Sequence, residues 1–297
     1  MTVSAIVLAD SISPSGSRLT TFQVSMHRFV LAEFNTHRVL SRNFRSSRAV
    51  PVAKLLAEVR ENPAMPVTWL SNKPGMQGSE PLPESVADDC KNIWWDAAYE
   101  AAEYAEVLMQ KGLHKSWANR VLEPYLYVPG VVSGTDFANF YALRRHPDAQ
   151  PEIRALAEAM YAAQEASTPR ELVPGQWHLP YVDAQIEDDG EQSYRYHLTA
   201  PGELVQGTRF IDLKDAIKTS VVRCARVTYK TFDGLHPDMD SDLALYDKLL
   251  GSTPLHASPA EHQATLRAWG GLKSMSGNFN EDWVQYRKTL PGEFVPG

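Results

Sequence analysis

Residues 20–48, TTFQVSMHRFVLAEFNTHRVLSRNFRSSR, contain three successive patterns. Phe22, Val24 and Met26 alternate with polar residues, which predicts a half-buried strand over residues 20–27. Apolar residues between positions 29 and 34 then recur at helical spacing, which predicts a short helix. No apolar period continues from Asn35 to Arg48. The stretch therefore predicts a strand, a short helix and an irregular polar segment.

The polar segment 36–48 holds four arginines, three serines and one asparagine in thirteen positions. Guanidinium groups bind phosphate oxygens bidentately, and serine hydroxyls with free backbone N–H groups can complete such a cradle. A solvated basic loop would have the same composition. The residues alone leave both interpretations open.

The charge balance bears on the kind of partner. The 297-residue chain carries 29 Lys and Arg against 36 Asp and Glu, a net charge of −7. This charge disfavours broad capture of nucleic acid or an anionic membrane, so we expect a compact phosphorylated ligand. No apolar run approaches the ~20 residues that span a bilayer, and residues 1–10 do not resemble a signal peptide. Two cysteines are too few for a disulfide framework. We therefore expect a cytoplasmic protein without a membrane partner.

Prolines and apolar periods divide the chain. Five prolines in residues 62–83 and four in residues 168–210 predict two irregular insertions. A three-to-four-residue period predicts a long helix over about 84–108, with Cys90 on its buried stripe. Further helices are predicted from Asp136, Pro151, Asp212 and Asp240. The length allows one large domain or two ordinary ones.

Several common functional motifs are absent. The chain lacks G-x-G-x-x-G, the P-loop, G-x-S-x-G and H-E-x-x-H. The group His256, Glu261 and His262 fits no standard zinc spacing, so we predict no metal site. Cys224 has no evident activating base, so we expect no thiolate nucleophile.

A family resemblance is carried by five stretches. Residues 37–48 (HRVLSRNFRSSR) resemble the signature R-H-R-x-x-S-x-N-E-x-S-x-R of the flavin-dependent thymidylate synthases. Arg120-Val121-Leu122 resembles the start of that family's R-[IV]-V-L-P segment, and residues 139–144 (NFYALR) resemble its N-F-x-x-L-R. Residues 223–228 (RCARVT) are similar to its R-A-A-R-V-S block, and residues 256–262 (HASPAEH) to its H-x-[ST]-P-F-E-H block.

The order of these blocks differs from that of the family. There the last two precede the arginine signature, whereas here they follow it. We therefore predict a circular permutation in which residues 217–262 supply the module that usually begins the chain. Residues 1–297 would form a single permuted domain with irregular insertions near 62–83 and 168–210. The prediction requires residues 217–262 to pack beside the strand that leads into Arg38.

The resemblance implies an α+β fold with a central antiparallel sheet flanked by helices. It implies a homotetramer with active sites between subunits. It also implies an enzyme that holds FAD, takes reducing power from NADPH and a one-carbon unit from methylenetetrahydrofolate, and methylates C5 of a pyrimidine nucleotide such as dUMP or UMP. The flavin delivers hydride to C6 of the pyrimidine, so no enzyme cysteine has to add there.

The resemblance also assigns roles to individual residues. It assigns the nucleotide to Glu33, Phe44, Ser46, Ser47, Arg48, Arg120, Leu143 and Arg144. Arg144 and Ser46 are the expected catalytic residues, since a fixed guanidinium can stabilise charge on the ring during hydride addition. It assigns FAD to His37, Arg38, Val39, Asn139, Thr228, Ser258 and Glu261.

Four positions depart from the family pattern. Thr36 replaces an arginine, Glu33 a glutamine, Phe44 a glutamate and Ser47 a glycine. An aromatic ring cannot accept the hydrogen bond that a carboxylate accepts, so we expect altered recognition of the sugar or base. Two alternatives stay open: C5-hydroxymethylation of a pyrimidine nucleotide, and a non-catalytic nucleotide or nucleic-acid binding protein that reuses the arginine segment.

Overall fold

The centre of the fold is a hairpin of two long antiparallel strands, Ser4–Ile12 and Arg18–His27. Gly16 in the connecting turn has a φ of +91°, a conformation that L side chains rarely adopt. The three alternating apolar residues of the second strand are buried. The strand predicted over residues 20–27 is therefore confirmed, whereas the first strand was not predicted.

The computed structural model describes residues 2–76, 78, 80–197, 208–231, 234–253, 255–268 and 273–293. Its strands are β1 (Ser4–Ile12), β2 (Arg18–His27), β3 (Ser41–Phe44), β4 (Tyr127–Gly134), β5 (Arg170–Glu171), β6 (Trp177–His178), β7 (Asp183–Ile186), β8 (Gln192–His197), β9 (Thr208–Ile211), β10 (Ala264–Leu266) and β11 (Trp283–Gln285). Its α-helices are α1 (Leu31–Phe34), α2 (Val52–Glu61), α3 (Glu84–Gln110), α4 (Lys115–Ala118), α5 (Ala138–Arg144), α6 (Pro151–Glu165), α7 (Leu213–Arg226) and α8 (Met239–Leu250). Among these helices none is both long and apolar enough to cross a bilayer.

The main sheet has the strand order β3-β4-β2-β1-β5 and is antiparallel except for the short β1–β5 pair. β3 forms its far edge, where Ser41 lies opposite Ser133 of β4. The segment predicted to be irregular thus contains an edge strand. It was missed because its polar side chains give no apolar alternation, although Leu40 just before it is fully buried. Helices flank this sheet, which confirms the α+β fold expected from the family.

The main hydrophobic core lies between β2, β4 and the helices α5 and α6. The Phe22 and Phe137 rings meet edge to face with centroids 5.3 Å apart. Helix α6 begins at Pro151, as predicted, and burial of its isoleucine, leucine and methionine side chains contributes roughly 1.5–3 kcal/mol each to folding. The core residues of this helix are Ile153, Leu156, Ala157 and Met160.

Helix α3 packs on α2 through small side chains instead of the predicted apolar stripe. Ile93 and Tyr104 of that stripe are 67% and 64% exposed. Cys90 is half-buried, so its expected place in the core is wrong. The reason is that α2 approaches a different row of the helix, which buries Ala98, Ala102 and Ala105.

The two predicted insertions have different outcomes. Residues 62–83 are irregular where described, with one isolated bridge between Leu70 and Pro81, and residues 77 and 79 lie outside the described part. Residues 168–210 were wrongly predicted to be irregular, because short strands fall there and β7, β8 and β9 pair into an antiparallel sheet. In β8, Tyr194 and Tyr196 are buried at alternate positions, but two residues are too few for the alternation to be recognised in the sequence. Residues 198–207 of this region lie outside the described part.

Helices α7 and α8, both predicted, are joined by a buried ionic cluster. Asp242 of α8 is fully buried and pairs with Arg226 and Arg223 of α7. It also accepts a 2.9 Å hydrogen bond from the Tyr196 hydroxyl. Helix α7 ends at Arg226, and the next residue, Val227, has a φ of 60°, in the left-handed region. The cluster fixes α7 against α8 and β8.

A buried polar chain joins the main sheet to the sheet of β6, β10 and β11. Ser11 bonds His178 Nδ1 at 2.9 Å, and His178 Nε2 bonds Thr21 at 2.8 Å. Thr21 bonds Ser133 at 2.6 Å, and Ser133 bonds His262 Nδ1 at 2.9 Å. Burial lowers the pKa of both histidines to about 3, so both imidazoles are neutral at pH 7.

Candidate active site

The four arginines of the signature segment divide into two pairs. Arg42 donates to the carbonyls of Leu40 and His37 and to the Asn35 side chain, so it fixes the turn before β3. Arg45 forms a bidentate pair with Glu58 of α2, at 2.8 and 2.6 Å. Within the described residues, the exposed Arg38 and Arg48 side chains form no hydrogen bond or ion pair. The segment thus offers two free guanidinium groups, not four.

Arg144 is held by two side chains that precede β3. Its Nε donates to His37 Nε2 at 2.8 Å, and its Nη1 pairs with Glu33. The His37 ring is buried and stands edge-on to Phe140, with centroids 5.0 Å apart. Burial lowers the pKa of His37, and the positive charges of Arg144 and Arg42 lower it further. A neutral His37 can accept the Arg144 hydrogen bond, so the guanidinium has a fixed orientation.

A second arginine–glutamate cluster follows β3. Glu123 Oε1 accepts hydrogen bonds from Ser47 Oγ at 2.6 Å, Arg120 Nη1 at 2.8 Å and Arg28 Nη2 at 3.3 Å. Ser46 beside Ser47 is exposed. Two expected nucleotide-binding residues, Ser47 and Arg120, are therefore brought together around a carboxylate that was not among the expected site residues.

The C-terminal blocks pack on β3. Asn43 Nδ2 donates to the Cys224 carbonyl at 2.8 Å, and Ser258 Oγ contacts Asn43 Oδ1 at 3.4 Å. Glu261 pairs with Arg287 of the tail. Thr228 is half-buried and accepts from the Lys230 N–H at 3.2 Å through its hydroxyl. Of the expected FAD residues in the C-terminal blocks, Ser258 is thus in direct contact with the signature segment.

Other expected residues present exposed side chains. Val39 and Leu143 are 55% and 52% exposed. Asn139 is exposed and, like Arg38, has no polar partner within the described part of the chain. A free guanidinium and a free amide can bind the pyrophosphate and the polar ring edges of FAD. Arg38 and Asn139 therefore fit the FAD cofactor that the resemblance implies.

Phe44, expected near the nucleotide, packs into the sheet. Its ring meets Phe34 edge to face at 5.6 Å and lies over Gly130, where an added Cβ would come within 2.2 Å of it. Gly130 is therefore required by close approach. The ring occupies space at the sheet surface and offers no hydrogen-bond acceptor to a sugar.

Sequence reasoning missed three site neighbours. Glu123 could have been found, because it stands at the leucine of the R-[IV]-V-L-P segment. Arg28 and Arg287 carry no comparable signal, since each reaches the site only through tertiary packing. In the described residues, the Arg144 and Glu123 clusters share no hydrogen bond or ion pair. Burial raises the pKa of the Cys224 thiol, which agrees with the expectation that it is no nucleophile.

Among solved structures, the UMP/dUMP methylase PolB from Streptomyces cacaoi bound with 5-Br UMP is 19% identical to this chain, with a TM-score of 0.43. That similarity covers 55% of this chain and 88% of the PolB chain. The structure of PolB bound with 5-Br dUMP is 22% identical, with a TM-score of 0.41, and covers 50% and 66%. A comparison with curated proteins gives no match.

The family sequence model described as "Thymidylate synthase complementing protein" matches residues 13–170. The match covers more than half of the chain and includes β2, the signature segment, Arg120 and Arg144. The blocks after residue 222 lie beyond it. The chain therefore belongs to the thymidylate synthase complementing proteins, the flavin-dependent thymidylate synthase family, and is an enzyme of the thymidylate synthase type.

Proposed function

We propose that the chain methylates C5 of a pyrimidine nucleotide, dUMP or UMP. In this proposal FAD is the bound cofactor, methylenetetrahydrofolate the one-carbon donor and NADPH the reductant. The observation that carries the proposal is the Arg144 guanidinium, which His37 and Glu33 hold beside the signature segment. Family membership supports the reaction class.

Arg144 has the central role in the proposed mechanism. When bound, FAD supplies hydride at C6 of the pyrimidine. Arg144 faces the ring and stabilises the negative charge that develops on it, because its position is fixed before the reaction begins. Within the described residues its Nη2 has no hydrogen-bond partner, which leaves a donor for the substrate. Glu33 and His37 orient the guanidinium.

The nucleotide phosphate is proposed to lie at Ser46 and Arg48, just after β3. Both side chains are exposed, and Arg48 is free of partners in the described chain, so it can form a bidentate pair with phosphate oxygens. Leu143 offers an apolar contact beside Arg144. The proposed nucleotide site also includes Ser47, Arg120 and Phe44.

FAD is proposed to contact His37, Arg38 and Val39 before β3, Asn139 on α5, and Thr228, Ser258 and Glu261 in the C-terminal blocks. The hydrogen bond from Ser258 to Asn43 supports this grouping, because it brings a C-terminal block onto β3. Glu261 also raises the pKa of Arg42 electrostatically, although burial lowers it more. The cytoplasmic location expected from the sequence stays a prediction.

We also propose that residues 1–297 form one circularly permuted domain. Cys224 and Val227 of the moved module cluster with Val131 of β4, and Asn43 bonds the Cys224 carbonyl. The module therefore lies against the same sheet as the strand that leads into Arg38. The end of the family match at residue 170, before these blocks, supports the same proposal.

The proposed assembly is a homotetramer with active sites between subunits. Exposed apolar side chains on α3 support an interface, because a large hydrophobic surface in water favours association. Four of them, Val86, Ile93, Tyr104 and Val107, lie on one face of the helix. Light scattering on the purified protein tests the assembly, and a monomer at working concentration would contradict it.

Turnover tests the function directly. We expect a yellow purified protein that releases tritium from C5-labelled dUMP or UMP only when folate and NADPH are present. Mass spectrometry of the product distinguishes a methyl from a hydroxymethyl group. A colourless protein that also fails to bind added FAD would overturn the proposal.

A further inference from the structure

Glu123 lies where a bound phosphate would compete with it. Its Oε1 is the acceptor for one serine hydroxyl and two guanidinium groups, those of Ser47, Arg120 and Arg28. The Glu123 side chain is 22% exposed, so water screens these contacts only in part. Hydroxyl and guanidinium donors are the groups that a phosphate monoester would use.

Two departures from the family pattern meet in one contact. Ser47 stands where the family has a glycine, and Glu123 stands at the leucine of the R-[IV]-V-L-P segment. The serine hydroxyl donates to the glutamate carboxylate at 2.6 Å. A glycine would have no hydroxyl to donate, and a leucine would have no oxygen to accept. The two substitutions therefore act as a unit.

The contact changes the charge that the cluster offers to a ligand. One carboxylate offsets one of the two positive charges and uses a donor from each guanidinium. A phosphate dianion that approached these donors would be repelled by the negative charge of the Glu123 carboxylate, which already accepts their hydrogen bonds. Ser46 and Arg48, in contrast, are exposed and have no such competitor among the described residues.

We propose that Glu123 is a specificity-determining residue that competes with the phosphate of the substrate for Ser47, Arg28 and Arg120. This proposal rests on the proposed function in one respect, the identity of the substrate as a nucleoside monophosphate. Phosphate binding then depends mainly on Arg48 and Ser46. The enzyme consequently discriminates less between a nucleoside monophosphate and the corresponding nucleoside than it would if Glu123 did not occupy these three donors.

The test compares Glu123→Gln with Glu103→Gln, a control on α3 that removes an exposed ion pair with Arg60. Calorimetric titration measures the binding of inorganic phosphate, dUMP and deoxyuridine to each protein. We expect Glu123→Gln to bind phosphate and dUMP about tenfold more tightly, since a charged competitor is removed. Deoxyuridine affinity stays unchanged in Glu123→Gln, and all three affinities stay unchanged in the control. Equal or weaker phosphate binding by Glu123→Gln would overturn the proposal.

Arg120→Ala gives a second measurement that does not require Glu123→Gln to fold. In the wild-type background we expect phosphate affinity to fall less than about threefold, because Arg120 is already paired. A loss of tenfold or more in that background would overturn the proposal. In the Glu123→Gln background the same change should cost about tenfold. The phosphate titrations test the role of Glu123 independently of catalysis. If neither dUMP nor UMP is turned over, only the proposed function is overturned.

Discussion

The two arginine–glutamate clusters on either side of β3 use the same residue types for different purposes. Before β3, a neutral imidazole and a carboxylate hold Arg144, and part of its guanidinium stays available. After β3, one carboxylate oxygen gathers donors from Arg28, Ser47 and Arg120. The comparison teaches that an arginine is prepared for a ligand by partners that orient it, whereas a carboxylate at the centre of a cluster competes with an anionic ligand.

The largest expected effect is that of Arg144→Ala. Turnover should fall at least about a hundredfold, because a preorganised charge at the pyrimidine is lost. Tritium release at saturating nucleotide measures the rate, and thermal unfolding checks that the fold is intact. Arg145→Ala is the matched control, since Arg145 pairs with Glu158 away from the cluster. Similar turnover in the two variants would refute the role of Arg144.

Arg48→Ala addresses the phosphate site that is proposed after β3, next to the second cluster. We expect nucleotide affinity to fall about tenfold and the saturated rate to change little, because a charge-assisted phosphate contact is lost. Titration with dUMP and the dependence of rate on nucleotide concentration measure the two quantities. An unchanged affinity would place the phosphate elsewhere, and a large drop in the saturated rate alone would contradict a binding role.

His37→Gln tests whether turnover depends on the orientation of Arg144 by a neutral hydrogen-bond acceptor. Protonation would turn His37 Nε2 from an acceptor into a donor, so the wild-type rate should fall as pH drops below the lowered pKa of His37. Stabilisation by His37 is likewise complete above its ordinary value near 6.5 and is lost as pH falls through the lowered pKa. The glutamine oxygen can still accept from Arg144. The variant should therefore keep activity within severalfold of wild type and lose this acidic limb, and an identical pH profile would argue against the assignment.

The smallest effect on activity is expected for Arg45→Ala. Arg45 is committed to Glu58, so its loss should cost about 1–3 kcal/mol of stability and change turnover less than about twofold. Urea unfolding and the tritium assay measure the two effects. A strong loss of nucleotide binding with unchanged stability would show that Arg45 belongs to the site.

Sequence patterns predicted the parts of the fold with a long, clean period. β2 and α6 are examples, because their buried apolar residues recur at strand and helical spacing. Ile93 shows where this reasoning fails: it lies on an apolar stripe, but α2 packs on the neighbouring alanine row. The short strands of residues 170–197 failed for a different reason, since two to six residues hold too little alternation to be recognised.

The candidate site was predictable as a set of residues but not as a set of contacts. The family motifs identified His37, Ser47, Arg120 and Arg144 as site residues. Composition could not show that Arg42 and Arg45 serve the fold, because only the folded chain brings Arg42 onto the turn before β3 and Arg45 onto Glu58 of α2.

The buried chain of hydroxyls and imidazoles makes unfolding a proton-consuming reaction. His178 and His262 have a pKa of about 3 in the folded protein and near 6.5 in the unfolded chain. The contribution of the two neutral imidazoles to stability is therefore full above pH 6.5 and declines as pH falls toward 3, by up to roughly 3 kcal/mol per pH unit for the pair. Calorimetry at pH 5 should find an unfolding heat that depends on the ionisation heat of the buffer, because unfolding withdraws protons from it. A heat of unfolding that is the same in acetate buffer and in histidine buffer would contradict this coupling.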